Sequence, residues 1–515
     1  MRRAGTPDTE LKTPGPLGAR SLALIGQALL IGGLLAGVAL VQSLGWPSEG
    51  ALFASQLALI GTVAWCFVSW RLQKGRLFDI YPLFLASLGL FHGGEVLTRL
   101  LGLGPTGFMR VRFSSKTEVT ALFFVMLALA FVHLGALLTY RGEQPPSPAV
   151  VRSQITESAI DDMRCIGYGL LLISVPAAVW TFQGSLTVVA SSGYFGLYQR
   201  QLPIGIPNFP ALCSTFLTTA VLFIVAGGRA RPGIRKFGLA VILTGALLQL
   251  FQGARAAAVV PIIAYAWFWH RCVRSLSPVR VALPAAFSAA LILPAITDIR
   301  HLTGHARLSP SYFLTALAAA ANSPSALLNE MGATLRVVAH TIELVPELRP
   351  FDAGRSYFYA LLAVLPNLGS AVHASAARGS LSRWLVSTVE PGTARSGGGL
   401  GFSAIAEAYL NFGWHLAPVF FLVLGLLFGR LTTWVNRTSS PVNIAAVAAA
   451  LPFILIYARA ESVDFVRGIT WYSLIPYFAV RLLSQAHHRG IVLRSCQRKA
   501  LAAFHNNESH HRLAP

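Results

Sequence analysis

The sequence contains few charged residues and few cysteines. Only 12% of its 515 residues are charged, about half the share of a typical soluble domain, while 54% are hydrophobic. The 5 cysteines include no CxxC pair, and none falls in the long hydrophilic stretch 298–401. Neither a disulfide framework nor a cysteine metal site is therefore expected. This composition excludes an ordinary soluble enzyme and indicates a chain that crosses a membrane many times.

Acidic residues and lysines are also scarce. The chain has 20 acidic residues against 41 basic ones, which gives a formal net charge of +21. The basic residues, 36 arginines and 5 lysines, are spread over short segments between apolar runs. Nucleic-acid binding requires a concentrated basic surface, so we expect no nucleic-acid partner. The sequence also lacks an Asp-x-Asp motif, which argues against a nucleotide-sugar enzyme that uses a divalent ion.

Apolar runs of spanning length predict an all-α membrane protein with about 12 transmembrane helices. A helix needs roughly 20 apolar residues to cross a bilayer. One large loop of amphipathic helices is predicted between the ninth and the tenth span. The predicted spans are residues 22–45, 51–70, 80–101, 118–140, 164–183, 209–227, 237–253, 255–270, 281–298, 402–429, 442–459 and 469–486.

The short loops predict the orientation of these helices. The basic segments between spans fall on one side, which the positive-inside rule makes cytoplasmic. Both termini are then predicted to lie in the cytoplasm. The predicted organisation is a disordered cytoplasmic tail (1–21), transmembrane helices 1–9 (22–298), a periplasmic loop (299–401), transmembrane helices 10–12 (402–486) and a basic cytoplasmic tail (487–515).

Within the predicted loop, the segment 323–345 has the pattern of one amphipathic helix. It opens with a Ser-Pro pair that suits an N-cap and a first helical position. Six apolar residues recur at steps of three and four and share one face, while Arg336, His340 and Glu343 lie near the opposite face. The simplest interpretation is an interfacial helix with a solvated polar face.

The tenth predicted span, 402–429, begins with a polar face. Ser403, Glu407, Asn411 and His415 follow one another at steps of four, which aligns them on one side of a helix. A charged group at membrane depth costs several kcal/mol unless it is partnered or hydrated. Glu407 is therefore a candidate functional carboxylate, and the alternative is a structural pair with an arginine on the outer side.

Four segments of the chain resemble bacterial O-antigen polymerases of the Wzy type. They are GLGFSAIAEAYLNFGWHLAPVFFLVLGLLFGRL (399–431), GRSYFYALLAVLPNLG (354–369), GAR (253–255) and RAESVDFVRG (459–468). The predicted topology agrees with the family over most of the chain. Some members carry an Arg-x10-Gly pattern in two periplasmic loops, but neither loop of this sequence contains it. That motif therefore assigns no residue here.

The resemblance implies a polytopic glycosyltransferase of the bacterial inner membrane. Such polymerases join undecaprenyl-pyrophosphate-linked oligosaccharide units on the periplasmic face and release undecaprenyl pyrophosphate. The implied partners are these lipid-linked oligosaccharides, membrane lipid and a chain-length regulator protein, and no cofactor is implied. Two alternatives stay open: an O-antigen ligase, and a flippase or transporter of lipid-linked sugars. Transporters are often built from repeated halves with ionisable groups near the midplane, a pattern that this sequence does not show.

A pyrophosphate leaving group calls for cations near the outer surface. Arginine suits this role because its fork of donors binds phosphate oxygens bidentately and stays charged. Arg255 is favoured because it follows Gly253 at a predicted turn between two spans. Arg459 and Arg467 flank two acidic residues, so a local salt-bridge cluster is the competing interpretation. The predicted pyrophosphate-binding residues are Arg200, Arg255, Arg336, Arg459 and Arg467.

The transfer also needs a base near the acceptor hydroxyl. Glu407 is the first candidate, either as the base or as the carboxylate that orients it. His340 is the second, because the unperturbed pKa of imidazole already lies near neutral pH. The other plausible acidic residues on the outer side are Asp298, Glu343, Glu461 and Asp464.

Two further groups of polar residues are interpreted without a catalytic role. Asp298 with His301 and His305 has the residue types of a metal site, but no second carboxylate stands at ligand spacing. We therefore expect no bound metal and metal-independent activity. Glu95 and Arg99, four residues apart in the third predicted span, are expected to form a structural ion pair.

Overall fold

A computed structural model shows a protein that is almost entirely helical. Among the residues it describes there is no β-strand. The described residues are 16–43, 49–103, 113–142, 157–194, 196–199, 209–300, 302–303, 309–323, 325–365 and 378–487.

The first part of the chain forms long helices joined by short connections. A π-helical turn, Ser288–Ile292, joins α10 to α11. In chain order the helices are α1 (Pro16–Ser43), α2 (Glu49–Leu72), α3 (Ile80–Leu100), α4 (Ser115–Thr139), α5 (Glu157–Ser192), α6 (Gly196–Gln199), α7 (Phe209–Gly227), α8 (Pro232–Gln252), α9 (Arg255–Cys272), α10 (Pro278–Phe287) and α11 (Leu293–Ile299).

Short helices then precede a final group of long ones. A 3₁₀ turn, Tyr457–Arg459, follows α19, and a π-helical turn, Thr470–Leu474, separates α20 from α21. The helices are α12 (Pro310–Asn322), α13 (Ala326–Gly332), α14 (Thr334–Leu344), α15 (Arg355–Leu362), α16 (Leu381–Val389), α17 (Pro391–Arg395), α18 (Ala404–Arg437), α19 (Pro441–Ile456), α20 (Ser462–Ile469) and α21 (475–487).

Local sequence sets several helix starts. α3 follows Asp79, whose carboxylate accepts a hydrogen bond from the Ile80 N–H at 2.9 Å. α4 follows Ser114, whose hydroxyl accepts from the Thr117 N–H at 3.2 Å. Proline occupies the first turn of α8, α12 and α19, where its missing N–H would have no intrahelical partner. Capping chemistry thus fixes where these helices begin.

Ten helices in the described part of the chain are long and apolar enough to cross a membrane. They coincide with ten of the twelve predicted spans. The predicted eighth span coincides with α9, and the predicted twelfth coincides with the end of α20, its π-helical turn and α21. The all-α, multi-pass membrane fold is therefore confirmed, whereas the count of twelve stays a prediction.

The described residues cover only part of the two predicted tails. α1 begins at Pro16, so residues 16–21 of the predicted amino-terminal tail are helical. Residues 1–15 and 488–515 lie outside the described residues, as do the histidines at 301 and 305. The predicted orientation of the termini stays a prediction.

α4 and α18 form the centre of the bundle and run parallel to each other. Glycines bring their backbones into contact: a Cβ on Gly425 would lie 1.9 Å from the Val132 carbonyl oxygen, and one on Gly135 would lie 2.3 Å from that of Leu422. Gly429, four residues after Gly425, meets α4 in the same way. Small residues at a spacing of four permit this close approach between membrane helices.

The other long helices surround this central pair. α1, α2 and α3 contact α4, while α5 pairs with α7. α9 packs against both α8 and α19. The amino-terminal ends of α9 and α18 therefore belong to one bundle that positions the candidate site.

The segment 323–345 does not form the single helix predicted from its sequence. It forms α13 and α14, which are separated at Ala333, and Ser323 ends α12 instead of capping the next helix. A Cβ on Gly332 would lie 1.9 Å from the Glu95 backbone nitrogen, so α13 ends where it presses directly on α3. This contact with another part of the chain has no signature in the local periodicity.

The sequence predicts a solvated polar face on α14, but most of this face is buried. Arg336 and His340 are each only 8% exposed. The reason is that α14 packs against α3, α4 and α18, so the bundle covers both of its faces. Glu343, near the end of the helix, is exposed and accepts a hydrogen bond from the Thr117 hydroxyl at 2.9 Å.

Candidate functional site

Arg255 lies at a turn that the sequence predicts correctly. Gly253 ends α8 in the left-handed conformation, with φ of 93°, which glycine adopts without a steric penalty. Arg255 then begins α9. Its guanidinium group donates hydrogen bonds to the Glu330 carboxylate and, at 3.3 Å, to the Leu293 carbonyl oxygen. The turn therefore aims Arg255 at α11 and α13.

Two further arginines surround the same carboxylate. The guanidinium group of Arg300 lies 3.5 Å from Glu330 Oε1 and 5.6 Å from the centre of the Tyr194 ring. Arg459 lies within electrostatic range of Glu330, Arg255 and Arg300. We call Arg255, Arg300, Arg459 and Glu330 the arginine cluster. The side chains of Arg255, Arg300 and Glu330 are 14%, 18% and 29% exposed, so an incoming anion can still reach them.

The charges of the arginine cluster do not cancel. Burial raises the pKa of the Glu330 carboxyl, but the charges of Arg255, Arg300 and Arg459 outweigh burial and hold the pKa below its usual value of 4.5. Glu330 is therefore ionised at neutral pH and orients the guanidinium groups. Three cations against one anion leave an excess of positive charge, which suits a polyanionic ligand such as pyrophosphate.

Glu407 lies in the first turn of α18 and is fully buried. Its Oε2 atom accepts a hydrogen bond from the Ser462 N–H at 2.7 Å. Its Oε1 atom makes no hydrogen bond of normal geometry with the described residues, although the Ser356 hydroxyl is near enough to interact. No salt bridge to Glu407 occurs in the described part of the chain, so the alternative of an arginine partner gains no support there.

Gly413 breaks α18 just after Glu407. Its φ of 59° and ψ of −156° are not helical, so the carbonyl groups of the preceding turn lose their intrahelical partners. The N–H groups of Asp352 and Ala353 replace them, bonding to the carbonyl oxygens of Leu410 and Asn411 at 2.9 and 3.1 Å. The break divides α18 into a short first half, 404–412, and a long second half, 414–437.

The predicted polar face of this helix is therefore only partly correct. Ser403 is the N-cap, and its hydroxyl accepts from the Ile405 N–H at 3.1 Å. Asn411 is buried and donates to the Ser356 hydroxyl at 2.7 Å. His415 follows the break and is exposed, so it does not continue the face that Glu407 and Asn411 share.

A short connection links Glu407 to the arginine cluster. Arg459 belongs to the cluster, and Ser462, three residues later, binds Glu407 through its N–H. Three residues span at most about 10 Å. Gly401 packs on Arg459, since a Cβ there would lie 3.4 Å from the Arg459 Nε atom. The glycine-rich segment 395–401 thus runs past an arginine of the cluster just before the helix that carries Glu407.

Arg336 and His340 belong to a different group of residues. Arg336 interacts electrostatically with Glu95, and the His340 ring lies 4.6 Å from the ring of Phe113. Arg99 lies 3.6 Å from Glu95, as the sequence predicts, and 2.5 Å from Glu118. Arg336 therefore faces a structural carboxylate within the bundle and is not part of the arginine cluster.

The remaining candidates are also separated from the arginine cluster or lie outside the described residues. Arg467 pairs with Asp464 at 3.6 Å, and its side chain is 43% exposed. Glu461 accepts hydrogen bonds from the Ser380 hydroxyl and, at 2.9 Å, from a backbone N–H of α16. The predicted salt-bridge alternative thus applies to Arg467 and not to Arg459. Arg200 lies outside the described residues.

Sequence reasoning missed Arg300 and Glu330. Arg300 lies two residues after the predicted ninth span, just as Arg255 lies two residues after the predicted seventh, and this was an available signal. Glu330 lies on the predicted amphipathic helix but away from its polar cluster. Only the folded chain shows that Arg255 and Glu330, 75 residues apart, form an ion pair.

A cavity of about 360 Å³ opens beside the arginine cluster. Its wall includes Tyr198, whose hydroxyl lies 2.8 Å from that of Tyr194, the residue that stacks on Arg300. This volume lies within the range of small-molecule sites. The lining residues are Tyr198, Arg383, Ser387, Pro391, Ala394, Arg395 and Gly397. We call it the loop cavity.

Metal-binding side chains are not gathered in the described part of the chain. There, no group of three or more His, Cys, Asp or Glu side chains is close enough to hold one metal ion. Of the group Asp298, His301 and His305, for which the sequence predicts no metal, the two histidines lie outside the described residues.

One comparison with known proteins gives a match. A family model described as O-antigen polysaccharide polymerase Wzy matches residues 34–488, which is well over half of the chain. No curated protein and no solved structure matches. The matched range includes the arginine cluster, Glu407 and the loop cavity.

Proposed function

Because the chain belongs to the family of O-antigen polysaccharide polymerases of the Wzy type, we propose that it joins undecaprenyl-pyrophosphate-linked oligosaccharide units on the periplasmic face of the inner membrane. The family acts on lipid-linked oligosaccharides in bacterial membranes, and the helices of this chain fit a multi-pass protein. The proposed reaction moves the growing glycan onto the next unit and releases undecaprenyl pyrophosphate.

The arginine cluster is the observation that carries this proposal. Two of its arginines lie within salt-bridge distance of Glu330, and Arg459 adds a third charge within electrostatic range. The arginine cluster begins at the end of a spanning helix. A lipid anchored in the membrane presents its pyrophosphate at such a depth. In the proposed reaction the arginine cluster binds the pyrophosphate and neutralises the charge that develops as it leaves.

Glu407 is proposed as the base for the acceptor sugar. The acceptor hydroxyl oxygen forms a bond to the anomeric carbon of the donor sugar, while the bond from that carbon to the pyrophosphate oxygen breaks. The hydroxyl proton passes to Glu407, and the pyrophosphate leaves with the electron pair of the broken bond. Since Glu407 is buried, the proposal requires the glycine-rich segment 395–401 to move and admit the acceptor.

The loop cavity is proposed to hold sugar units. Tyr198 offers an aromatic face with a hydroxyl, while Arg383, Ser387 and Arg395 offer hydrogen-bond donors. A chain-length regulator is proposed as a further partner.

The arginines also support a metal-independent reaction. Three guanidinium groups supply at the leaving group the charge that a divalent ion supplies in other transferases. We expect polymerisation to continue in excess EDTA. Loss of activity in EDTA that returns with magnesium or manganese would contradict this part of the proposal.

The direct test uses purified full-length protein and a lipid-linked repeat unit. We expect a ladder of products that differ by one repeat unit, with one undecaprenyl pyrophosphate released for each bond formed. Transfer only to a lipid A core would identify a ligase. Movement of the lipid-linked unit across vesicles with no ladder would identify a transporter.

A further inference from the structure

A second basic site lies at the opposite end of the bundle from the arginine cluster. A cavity of about 440 Å³ opens between the last turns of α4 and α18. The second half of α18 runs over 414–437 and is about 36 Å long, so this cavity at its far end is remote from Glu407. Its lining residues are Leu138, Thr139, Arg141, Arg430, Thr433, Trp434 and Arg437. We call it the basic cavity.

The polar groups that the basic cavity offers to a ligand are mainly guanidinium donors. Three of its lining residues are arginines, and none of the described lining residues is acidic. The Thr139 hydroxyl donates to the Gly135 carbonyl oxygen at 3.0 Å, and the Thr433 hydroxyl donates to that of Gly429 at 2.9 Å. Both hydroxyl protons are thus committed to the helices, and the charge of the cavity favours an anion.

Helix capping does not account for these arginines. Arg437 stands in the last turn of α18, where a cation stabilises the helix dipole. Arg430, however, lies two turns before the end, and Arg141 lies beyond the end of α4. The carbonyl oxygen of Leu138 near the end of α4 already accepts a hydrogen bond from Arg20 at 3.0 Å.

An exposed apolar stripe leads along α18 into the basic cavity. Four of its residues are about half exposed and follow one another at steps of three and four: Leu416, Val419, Val423 and Leu427. Arg430 and the exposed Trp434 continue the same steps. At about 100° per residue all six positions fall within an arc of about 80°. A ligand that contacts this face meets hydrocarbon first and then cations.

We propose that the basic cavity binds the headgroup of an anionic phospholipid of the surrounding membrane, with an acyl chain along the α18 stripe. Arginine forks bind phosphate oxygens, and basic pockets between membrane helices recognise anionic headgroups. The apolar stripe favours a lipid over a free phosphate, because a free phosphate gains nothing from hydrocarbon contact. The lipid thereby fixes the ends of α4 and α18 together.

Native mass spectrometry of the detergent-purified full chain, titrated with phosphatidylglycerol, tests this proposal. We expect one tightly bound lipid. Arg141→Gln/Arg430→Gln should weaken lipid binding about 30-fold, because each lost charge removes about a fivefold share of the attraction to an anionic headgroup. Arg141→Lys/Arg430→Lys keeps the charge but loses the fork, so it should weaken binding less than the double Gln variant. The matched control is Arg231→Gln/Arg274→Gln, which removes two exposed charges at the same end of the bundle but outside the basic cavity.

Three outcomes would overturn the proposal. Equal weakening by the two double Gln variants would show attraction to net charge without a site. Equal binding of phosphatidylethanolamine would show that headgroup charge is not recognised. Displacement of the lipid by inorganic phosphate at equal concentration would show that the apolar stripe does not contribute.

Discussion

The two halves of α18 differ in which side chains they bury and in what they contact. In the first half, Glu407 and Asn411 are buried, and both are hydrogen-bonded to other segments. In the second half, apolar side chains face outward while Gly425 and Gly429 press against α4. Gly413 separates the two halves.

This difference indicates that the first half of α18 carries the chemistry and that the second half anchors the helix in the bundle. The second half is held along its length by backbone contact with α4, so it is fixed in the bundle. The first half is held by hydrogen bonds to the segments around Asp352 and Ser462. Broken helices of this kind recur at the substrate sites of membrane proteins, where irregular backbone is tolerated if protein covers it. Substitutions in the first half should therefore affect rate, and those in the second half should affect stability.

The largest effect on rate is expected from Glu407→Gln. This change keeps the shape of the side chain but removes its basicity, so polymerisation should fall about a thousandfold, within the range for a lost general base. The measurement is the rate of ladder formation at equal protein amount, with the unfolding temperature recorded in parallel. Glu343→Gln is the matched control, since Glu343 is exposed on α14.

Two results would reject this assignment. A normal ladder from Glu407→Gln across the pH range would exclude Glu407 as the base. A large fall in unfolding temperature with an unchanged rate per folded molecule would make Glu407 a structural carboxylate.

The next effect in size is expected from Arg255→Ala. Loss of one donor to a leaving group costs on the order of 3 kcal/mol in the barrier, or about a hundredfold in rate. Arg255→Lys keeps the charge but loses the planar fork, so it should also be impaired. The matched control is Arg467→Ala, which removes an arginine that pairs with Asp464 away from the arginine cluster. Equal rates for the two Ala variants would remove Arg255 from the pyrophosphate site.

The sequence predicts some of this site because the relevant signals are local. A glycine before an arginine indicates the turn at Gly253, and the cost of a carboxylate at membrane depth indicates the burial of Glu407. The break at Gly413 is not predictable in this way, because a glycine within an apolar run is compatible with a continuous membrane helix. The break is stabilised by the distant segment 352–353, whose N–H groups donate hydrogen bonds to the freed carbonyl oxygens.

The wrong prediction for α14 and the missed partner of Arg255 have the same physical origin. The polar face of α14 follows the periodicity of a solvated helix, but the bundle covers it with α3, α4 and α18. The pairing of Arg255 with Glu330 also depends on tertiary packing. Local sequence patterns therefore locate membrane spans, turns and charged residues at membrane depth. Contacts between residues that are distant in the sequence are visible only in the structure.

Gly425→Ala tests the second half of α18, because it should change the stability of the protein and not its rate. Its Cβ would lie 1.9 Å from the Val132 carbonyl oxygen, so α4 and α18 must move apart, at a cost of about 1–3 kcal/mol. We expect a lower unfolding temperature with little change in rate per folded molecule. Gly245→Ala is the control, because a Cβ at that helical position meets nothing within 4 Å. Unchanged stability of Gly425→Ala would show that the contact between the two helices is loose.

The smallest effect concerns the pH dependence of stability at the arginine cluster, beside the first half of α18. The pKa of Glu330 is lower in the folded protein than its usual value of 4.5. Its stabilisation is therefore fully present above pH 4.5 and is lost as the pH falls through the lower, folded-state pKa. Glu330→Gln should reduce stability at pH 7 by on the order of 1 kcal/mol, and this difference from the unaltered protein should shrink in acid. Unfolding temperatures from pH 3.5 to pH 7.5, with the exposed Glu347→Gln as control, measure it. A difference that stays constant over that range would mean that Glu330 acts through packing and not through its charge, and the orientation of the three arginines would then need another cause.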